Sequence, residues 1–295
     1  MKRTLGIVGS RGFVGRELLT LVGRHGELDL RLSISQRDGK SEVDVAAERL
    51  DAYVLALPNG ASEPYVRAIT SARPDAIIVD LSGDHRFDSA WIYGQPERKR
   101  AAIKGATRIA NPGCYATAMQ LALAPLLPVL EGPANVFGVS GYSGAGTTPS
   151  AKNDPEALRD NLMPYALIGH AHEREVAAQL GCRLFFMPHV APFFQGLTVT
   201  VSVALARQCS RAELEGRYAD AYGSEPMIRL QQEIPLVRDI RGRHDVVIGG
   251  LALAEDVRHA VVVATIDNLL GGAASQALRN LNLALGFPEN QGVLS

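Results

Sequence analysis

A short apolar run, Thr4 to Val8, leads straight into Gly9-Ser10-Arg11-Gly12-Phe13-Val14-Gly15. Arg16 to Arg24 follows, with Leu18, Leu19 and Val22 at helical spacing. A buried strand, a glycine turn and an amphipathic helix in that order open a βαβ unit. Glycines spaced G-x-x-G-x-x-G permit a tight turn and close approach of backbone to a pyrophosphate. They also leave free N–H groups at a helix N-terminus. A strand–turn–helix that needs glycine only for its backbone freedom has the same spelling. Position favours the nucleotide reading, because this is the first βα turn of a chain that begins on a strand.

The alternation continues. Leu28 to Ile34 reads as a strand, and Ala52 to Leu57 as another, stopped by Pro58-Asn59-Gly60. Ala61 to Ala72 reads as a helix and Ala76 to Leu81 as a fourth strand. This order predicts right-handed crossovers and a parallel sheet. The middle of the chain is richer in strands: Asn135 to Ser140, Arg183 to Phe186, Leu197 to Ala206, Met227 to Leu230, Val246 to Ala254 and Ala260 to Thr265. Leu197 to Ala206 alternates Val and Thr, the pattern of a half-buried strand. A mixed or antiparallel sheet with helices on one face is expected there. Asn268 to Leu285 returns to helical spacing.

At 295 residues the chain is long enough for two domains, at ~150 residues each. Lys and Arg total 30 against 31 Asp and Glu, so no basic excess advertises a nucleic-acid partner. No apolar run approaches the ~20 residues of a membrane span. The richest stretch, Leu121 to Leu130, is broken by Pro125 and Pro128. The first apolar run ends by Gly9, too short for a signal-peptide core. Three cysteines make neither a disulfide scaffold nor a zinc cluster. A soluble, cytoplasmic protein of two domains is expected.

About 20 residues past the glycine loop an NAD enzyme usually carries an acid for the ribose 2′-hydroxyl. Here the second strand runs into Ser35-Gln36-Arg37, then Asp38 and Lys40. A hydroxyl with a guanidinium suits a 2′-phosphate, so NADP(H) is expected over NAD. Arg37 as a solvated loop charge is the plain alternative.

Asn111-Pro112-Gly113-Cys114-Tyr115 follows a short strand, Arg108 to Ala110, and opens an apolar helix over Met119 to Leu127. A cysteine at a helix N-terminus gains thiolate character from the orphan N–H groups, which can also stabilise an oxyanion. Cys182 and Cys209 read as buried apolar residues. A nucleophilic cysteine needs a base. His170-Ala171-His172-Glu173-Arg174-Glu175 supplies two histidines and two near acids. In a strand His170 and His172 share a face; in a helix His172 and Glu175 do. His172 to Val176 lacks the second histidine of His-Glu-x-x-His, so no metal is expected. His189 is a further candidate. His25, His85, His244 and His259 read as structural.

In order along nearly the whole chain, these segments resemble the N-acetyl-γ-glutamyl-phosphate reductases. Gly9 to Gly15 resembles the family's cofactor loop, and Asp80-Leu81-Ser82-Gly83-Asp84-His85-Arg86-Phe87 its D-L-S-x-D-x-R segment. Tyr93-Gly94-Gln95-Pro96-Glu97, Asn111 to Tyr115, Ser143-Gly144-Ala145-Gly146, His170-Ala171-His172 with Glu175, and Pro188-His189 match further segments. Asp267-Asn268-Leu269, with Gly272-Ala273-Ala274 and Gln276, resembles the helix that returns to the nucleotide domain. The resemblance implies an α/β fold: a discontinuous Rossmann domain of residues 1–115 and 268–295, and an α+β catalytic and oligomerisation domain of 116–267. The second domain is similar to those of aspartate-semialdehyde and glyceraldehyde-3-phosphate dehydrogenases.

It also implies NADPH-dependent reduction of an acyl phosphate to a semialdehyde, in arginine biosynthesis. Cys114 would be the thioester-forming nucleophile, His172 the acid and base (His170 the alternative), and Glu175 its orienting partner. Cofactor contacts are implied for Gly9, Ser10, Arg11, Gly12, Phe13, Val14, Gly15, Ser35, Arg37, Asn59, Ser82, Ser143, Gly144 and Asn268. Substrate contacts are implied for Arg86, Asn111, Lys152, His170 and His189. A homo-oligomer, dimer or tetramer, belongs to the same expectation. Three positions depart from the family's commonest pattern by losing a positive charge: Thr147, Gln195 and Gly271. Either Arg86, Lys152 or the backbone then anchors more of the anionic substrate, or the substrate differs slightly. Phe193-Phe194 suggests an apolar wall for an N-acyl group, or simple packing in the sheet.

Competing readings are a lysine-pathway reductase of a carrier-bound aminoadipyl phosphate and a non-catalytic NADPH-binding regulator. Aspartate-semialdehyde dehydrogenase fits the His-Ala-His and Asp-Asn-Leu segments poorly. A cofactor-free cysteine hydrolase leaves the glycine loop unexplained.

Overall fold

Leu5, Ile7 and Val8 have essentially no solvent exposure, which places β1 (Arg3–Val8) in the middle of a sheet. The computed structural model describes residues 2–294. After β1 come α1 (Phe13–Arg24), β2 (Leu28–Ile34), α2 (Glu42–Ala47), β3 (Ala52–Leu55), α3 (Glu63–Ala72) and β4 (Ile77–Asp80). Then follow β5 (Ile92–Tyr93), α4 (Pro96–Ile103) and β6 (Arg108–Ala110). Every neighbouring pair is parallel, in the order β2-β1-β3-β4-β6-β5. Strand order reverses between β1 and β3, and such a reversal opens a crevice at the carboxyl ends of the strands. The loops after β1, β3, β4 and β6 all lie at that end.

A second compact unit comprises Cys114–Gly272. Its elements are α5 (Cys114–Leu123), β7 (Leu130–Gly141), α6 (Pro155–Leu158), β8 (Met163–Pro164), α7 (Ala171–Leu180) and β9 (Leu184–Ala191). They continue with β10 (Leu197–Leu205), α8 (Arg211–Tyr222), β11 (Ile228–Leu230), α9 (Val237–Ile240), β12 (Val246–Leu253) and β13 (His259–Ile266). The mixed sheet runs β11-β12-β13-β10-β7-β9-β8. In β10, Leu197, Val199, Val201, Val203 and Leu205 are buried while Thr198, Thr200 and Ser202 are half-exposed. The buried face packs with Met119, Val176, Phe186 and Leu214, so α5, α7 and α8 cover it. The other face carries Phe137 and Phe185, both exposed. Leu197 pairs with Ser140 and Ile266, and Ile266 with Val246. One end of the sheet therefore gathers the turns near 141–145, 193–196, 241–245 and 267–272.

A π turn over Leu270–Ala274 leads into α10 (Ser275–Leu285), which belongs to the first unit with the residues up to Gly113. Ser275 through Ala284 are all buried, polar residues among them. Asn280 Nδ2 donates to the Gly94 carbonyl (2.8 Å) and to Asn111 Oδ1 (2.9 Å). Arg279 bonds Glu97 at 2.7 Å and also Glu289, whose other oxygen accepts from Arg100 at 2.6 Å. Burial alone would raise the Glu289 carboxyl, but these arginines hold it below its ordinary value. His25 completes the seat: its Nδ1 accepts from Glu27 N–H, so Nε2 carries the proton and donates to Asn282 Oδ1 at 3.0 Å.

The units divide after 113 and 272, where the sequence expectation put 115 and 267. Residues 268–272 stay with the second unit because Asp267 and Asn268 anchor them there, as described below. Two element readings are also sharpened. The apolar helix begins at Cys114 and gives way at Ala124–Val129 to a 3₁₀ turn at Pro125. Residues 171–180 are helical, which decides between the strand and helix readings of the histidine segment. Among the described residues no helix is long and apolar enough to cross a membrane.

Candidate active site

In the first unit, Gly9 has φ +92°, and an added Cβ would lie 2.1 Å from the Ala56 carbonyl oxygen. A Cβ on Gly15 would lie 2.3 Å from Gly9 O. No side chain fits at either position, so the chain passes close over the end of β3. Ser10 Oγ donates to Ile34 O at 3.1 Å, which fixes the loop to β2. Gly12 caps α1 without a side-chain bond, and the first turn holds no acid. The positive end of the helix dipole thus faces the loop with no carboxylate of its own, a fit for a dinucleotide pyrophosphate. Phe13 and Val14 begin the helix.

Beyond β2, Ser35 N and Oγ donate to Asp38 at 2.6 and 2.8 Å, and Arg11 pairs with the same carboxylate at 2.8 Å. Those bonds from Ser35 hold the Asp38 carboxyl below its ordinary value. Arg37 is exposed beside it. Asn59 Oδ1 accepts from Gly83 N–H (2.8 Å), and Ser82 Oγ donates to buried Asp80 (2.6 Å). Ser35, Asn59 and Ser82 therefore brace the turns that surround the crevice. Arg86 Nε and Nη2 donate to the Asn111 and Leu81 carbonyls at 2.9 and 3.0 Å. Asn111 is buried and held by Asn280.

In the second unit Cys114 is the first residue of α5 and half-buried. The orphan N–H groups of that helix end favour a thiolate and an oxyanion alike. Gly272 crosses over it so closely that an added Cβ would meet Cys114 Cβ at 2.6 Å. Tyr115 is buried, bonds the His189 carbonyl at 3.0 Å and sets its ring edge-on to Phe186. The ring of His172 lies 6.1 Å from that of Tyr115 and 4.9 Å from that of His170. Glu175 is buried one helical turn beyond His172, on the same face.

His170 plays a different part. Its Nδ1 accepts from His172 N–H at 3.1 Å and caps α7. Burial, then the charge of Lys152, pushes its pKa below the ordinary value, so it stays neutral at pH 7. Lys152 Nζ sits 4.9 Å above the ring of Tyr165. Burial and then the charge of Cys114 raise the Tyr165 hydroxyl, a residue that no sequence motif singles out. His189 donates from Nδ1 to Met187 O (3.1 Å) and packs on exposed Phe137, so it is not gathered with His170 and His172.

Asp267 enters the sequence reading only as part of a motif, yet it organises the sheet end. It has no solvent exposure, and four N–H groups satisfy it: Leu269 and Leu270 at 2.9 and 3.1 Å, the Gln195 amide at 2.6 Å and Gly242 at 2.7 Å. Asn268 accepts from Gly196 N–H at 2.7 Å and donates to Ser143 Oγ at 2.9 Å. A Cβ on Gly144 would approach Ser140 Oγ at 3.0 Å. Among the described residues no three His, Cys, Asp or Glu side chains are grouped to hold a metal.

The close crossing of Gly272 sets an expectation. In Gly272→Ala the turn or the helix end must shift, and about 1 Å at a nucleophile costs roughly 100-fold in rate. Single-turnover kinetics should show that loss in the chemical step with the Kd for a nicotinamide cofactor unchanged. An alanine variant at wild-type rate would show the close approach to be dispensable.

Comparison with known proteins agrees with this arrangement. The semialdehyde dehydrogenase NAD-binding domain matches residues 4–106, and the semialdehyde dehydrogenase dimerisation domain matches 114–268. An N-acetyl-gamma-glutamyl-phosphate reductase of Stenotrophomonas maltophilia is 53% identical over 97% of this chain and 96% of its own. One from Xanthomonas euvesicatoria is 51% identical over 98% and 97%. Among solved structures, aspartate semialdehyde dehydrogenase II of Vibrio cholerae shares the fold with a TM-score of 0.78, at 17% identity over 97% of this chain and 99% of that one. The Francisella tularensis aspartate semialdehyde dehydrogenase gives 0.77 at 16% identity over 96% and 99%. An oxidoreductase architecture, a nicotinamide-binding loop and a cysteine at a helix start thus meet near-full-length similarity, and the chain belongs to the N-acetyl-γ-glutamyl-phosphate reductases of the semialdehyde dehydrogenase family.

Proposed function

We propose that the protein reduces N-acetyl-γ-glutamyl phosphate to N-acetylglutamate 5-semialdehyde with release of phosphate, using NADPH, in arginine biosynthesis. The observation that carries this reading is Cys114 at the N-terminus of α5 in the unit that also holds His172 and Glu175. His172 takes the thiol proton and Cys114 sulfur attacks the acyl carbon. The bond from that carbon to the phosphate oxygen breaks, phosphate leaves, and a thioester remains. Held by the Gly9–Gly15 loop, NADPH would supply the hydride that reduces the thioester carbon. N–H groups at the start of α5 hold the resulting oxyanion. The C–S bond then breaks, its electron pair returns to sulfur, and the aldehyde leaves. Glu175 keeps the His172 ring in register for the proton transfers.

Arg37, with Arg11 nearby, supports NADP(H) over NAD(H), since guanidinium groups pair with a 2′-phosphate. Asp38 is neutralised in part by Arg11 and by the Ser35 bonds. The matched dimerisation domain and the apolar sheet face with Phe137 and Phe185 support a homo-oligomer. Three free cysteines suit the reducing cytoplasm. A balanced charge gives no support to a carrier-protein substrate.

The reverse reaction tests the reading. The semialdehyde should be oxidised with NADP⁺ only when inorganic phosphate is present. In Arg37→Ala the KM for NADP⁺ should rise roughly 10-fold or more, with the KM for NAD⁺ unchanged. A protein that binds NADPH yet shows no phosphate-dependent oxidation does not have this function.

A further inference from the structure

The substrate proposed above carries a phosphate and a carboxylate, and its site needs cations that are held in place. Beside the Asp267–Gly272 segment, positions 195 and 271 bring no cation. The Gln195 amide points inward to Asp267 at 2.6 Å. Gly271 has no room for a side chain, because an added Cβ would lie 2.8 Å from the carbonyl oxygen of His244.

The stretch that blocks position 271 also brings a cation. Arg241 Nε donates to the Gln195 carbonyl at 2.9 Å, and its guanidinium lies 5.1 Å from the centre of the Phe193 ring. Gly242 N–H is bonded to Asp267 at 2.7 Å, which fixes the backbone beside it. One edge and one face of the guanidinium are thus held while the residue stays exposed. Its neighbours have acids beside them: Arg229 and Arg243 share Asp245, and Arg238 lies beside Asp239. Among the described residues no carboxylate pairs with Arg241. The turn that carries it is tied through Gly196 and Asn268 to Ser143, and Asp267 starts the segment that crosses Cys114.

We propose that Arg241 is a specificity-determining residue whose terminal nitrogens hold an oxyanion of the substrate, a carboxylate or a phosphate. This rests on the acyl-phosphate reading of the site. Arg241→Gln removes the charge and retains an amide. In the reverse assay it should raise KM by about 10- to 100-fold for one partner. A rise for the semialdehyde assigns the carboxylate, and a rise for inorganic phosphate assigns the phosphate. The kcat should stay within a few-fold of wild type and the KM for NADP⁺ should not move. Added guanidinium ion should restore part of the loss in Arg241→Ala. Both KM values unchanged, or a fall in kcat or Tm without a KM change, would reduce Arg241 to a clamp on the 193–196 turn and overturn the proposal. Calorimetric titration of wild type and Arg241→Gln with inorganic phosphate and with N-acetylglutamate reads binding without turnover. An inactive wild type that still binds one of these anions through Arg241 would sink the functional reading alone. Equal binding by both proteins would sink the Arg241 proposal.

Discussion

Replacing Cys114 by serine should abolish NADPH oxidation by the acyl phosphate, by roughly four orders of magnitude or more, and leave the Kd for NADPH unchanged. A serine hydroxyl is not ionised by a helix N-terminus, whereas a thiol there is brought toward thiolate. The alkoxide would also be a poorer leaving group when the tetrahedral adduct collapses. Nucleotide binding is expected to survive because the glycine loop belongs to the other unit. Single-turnover oxidation of NADPH measures the first quantity and fluorescence titration the second. A serine variant at full rate would remove the thioester from the mechanism.

Arg279→Ala should be the most damaging substitution for stability. The arginine side chain is 5% exposed, between Glu97 at 2% and Glu289 at 13%. Removing it takes from buried Glu97 the arginine it pairs with and leaves Glu289 with Arg100, which costs about 3–5 kcal/mol in comparable buried networks. For a protein of this size that lowers Tm by roughly 10 °C. Arg279→Met combined with Glu97→Gln should recover part of the loss, because the buried acid is then neutral and Glu289 keeps Arg100. Thermal denaturation followed by circular dichroism decides it. An Arg279→Ala variant that melts with wild type would show the network to be energetically idle.

The parts of the fold written in local pattern are legible in the sequence. The loop from Gly9 to Gly15 and the Val/Thr alternation of β10 each depend on neighbours in the chain, and both elements lie where the pattern puts them. The histidine segment is ambiguous in sequence because its two spacings fit either periodicity. What decides it is His170 capping α7, with Gly181 in the left-handed conformation at the other end. The pattern does not reveal α8, since only Leu214, Tyr218 and Tyr222 of its twelve residues are buried. Tyr165, Arg241 and the central role of Asp267 are invisible for a different reason. Each acquires its role from segments far away in sequence, as when Gln195 and Gly242 converge on Asp267 across 72 and 25 residues. The neutral character of Gln195 and Gly271 is plain in the sequence, but the packing of the 241–244 turn against them is not.

The helix from Ser275 to Leu285 has a consequence for how the chain is made. Its contacts run to α1, α4 and β4, all translated before the second unit. A nascent chain therefore carries six sheet strands whose surface waits for α10 while residues 114–272 are synthesised and begin to fold. Until the ribosome releases that last helix, Gly94, Asn111 and Glu97 lack the partners Asn280 and Arg279. Exposure of unfinished sheet during synthesis invites chaperone capture or aggregation. A released chain ending at Gly272 should accordingly hold a second unit that is protease-resistant and a first that is not.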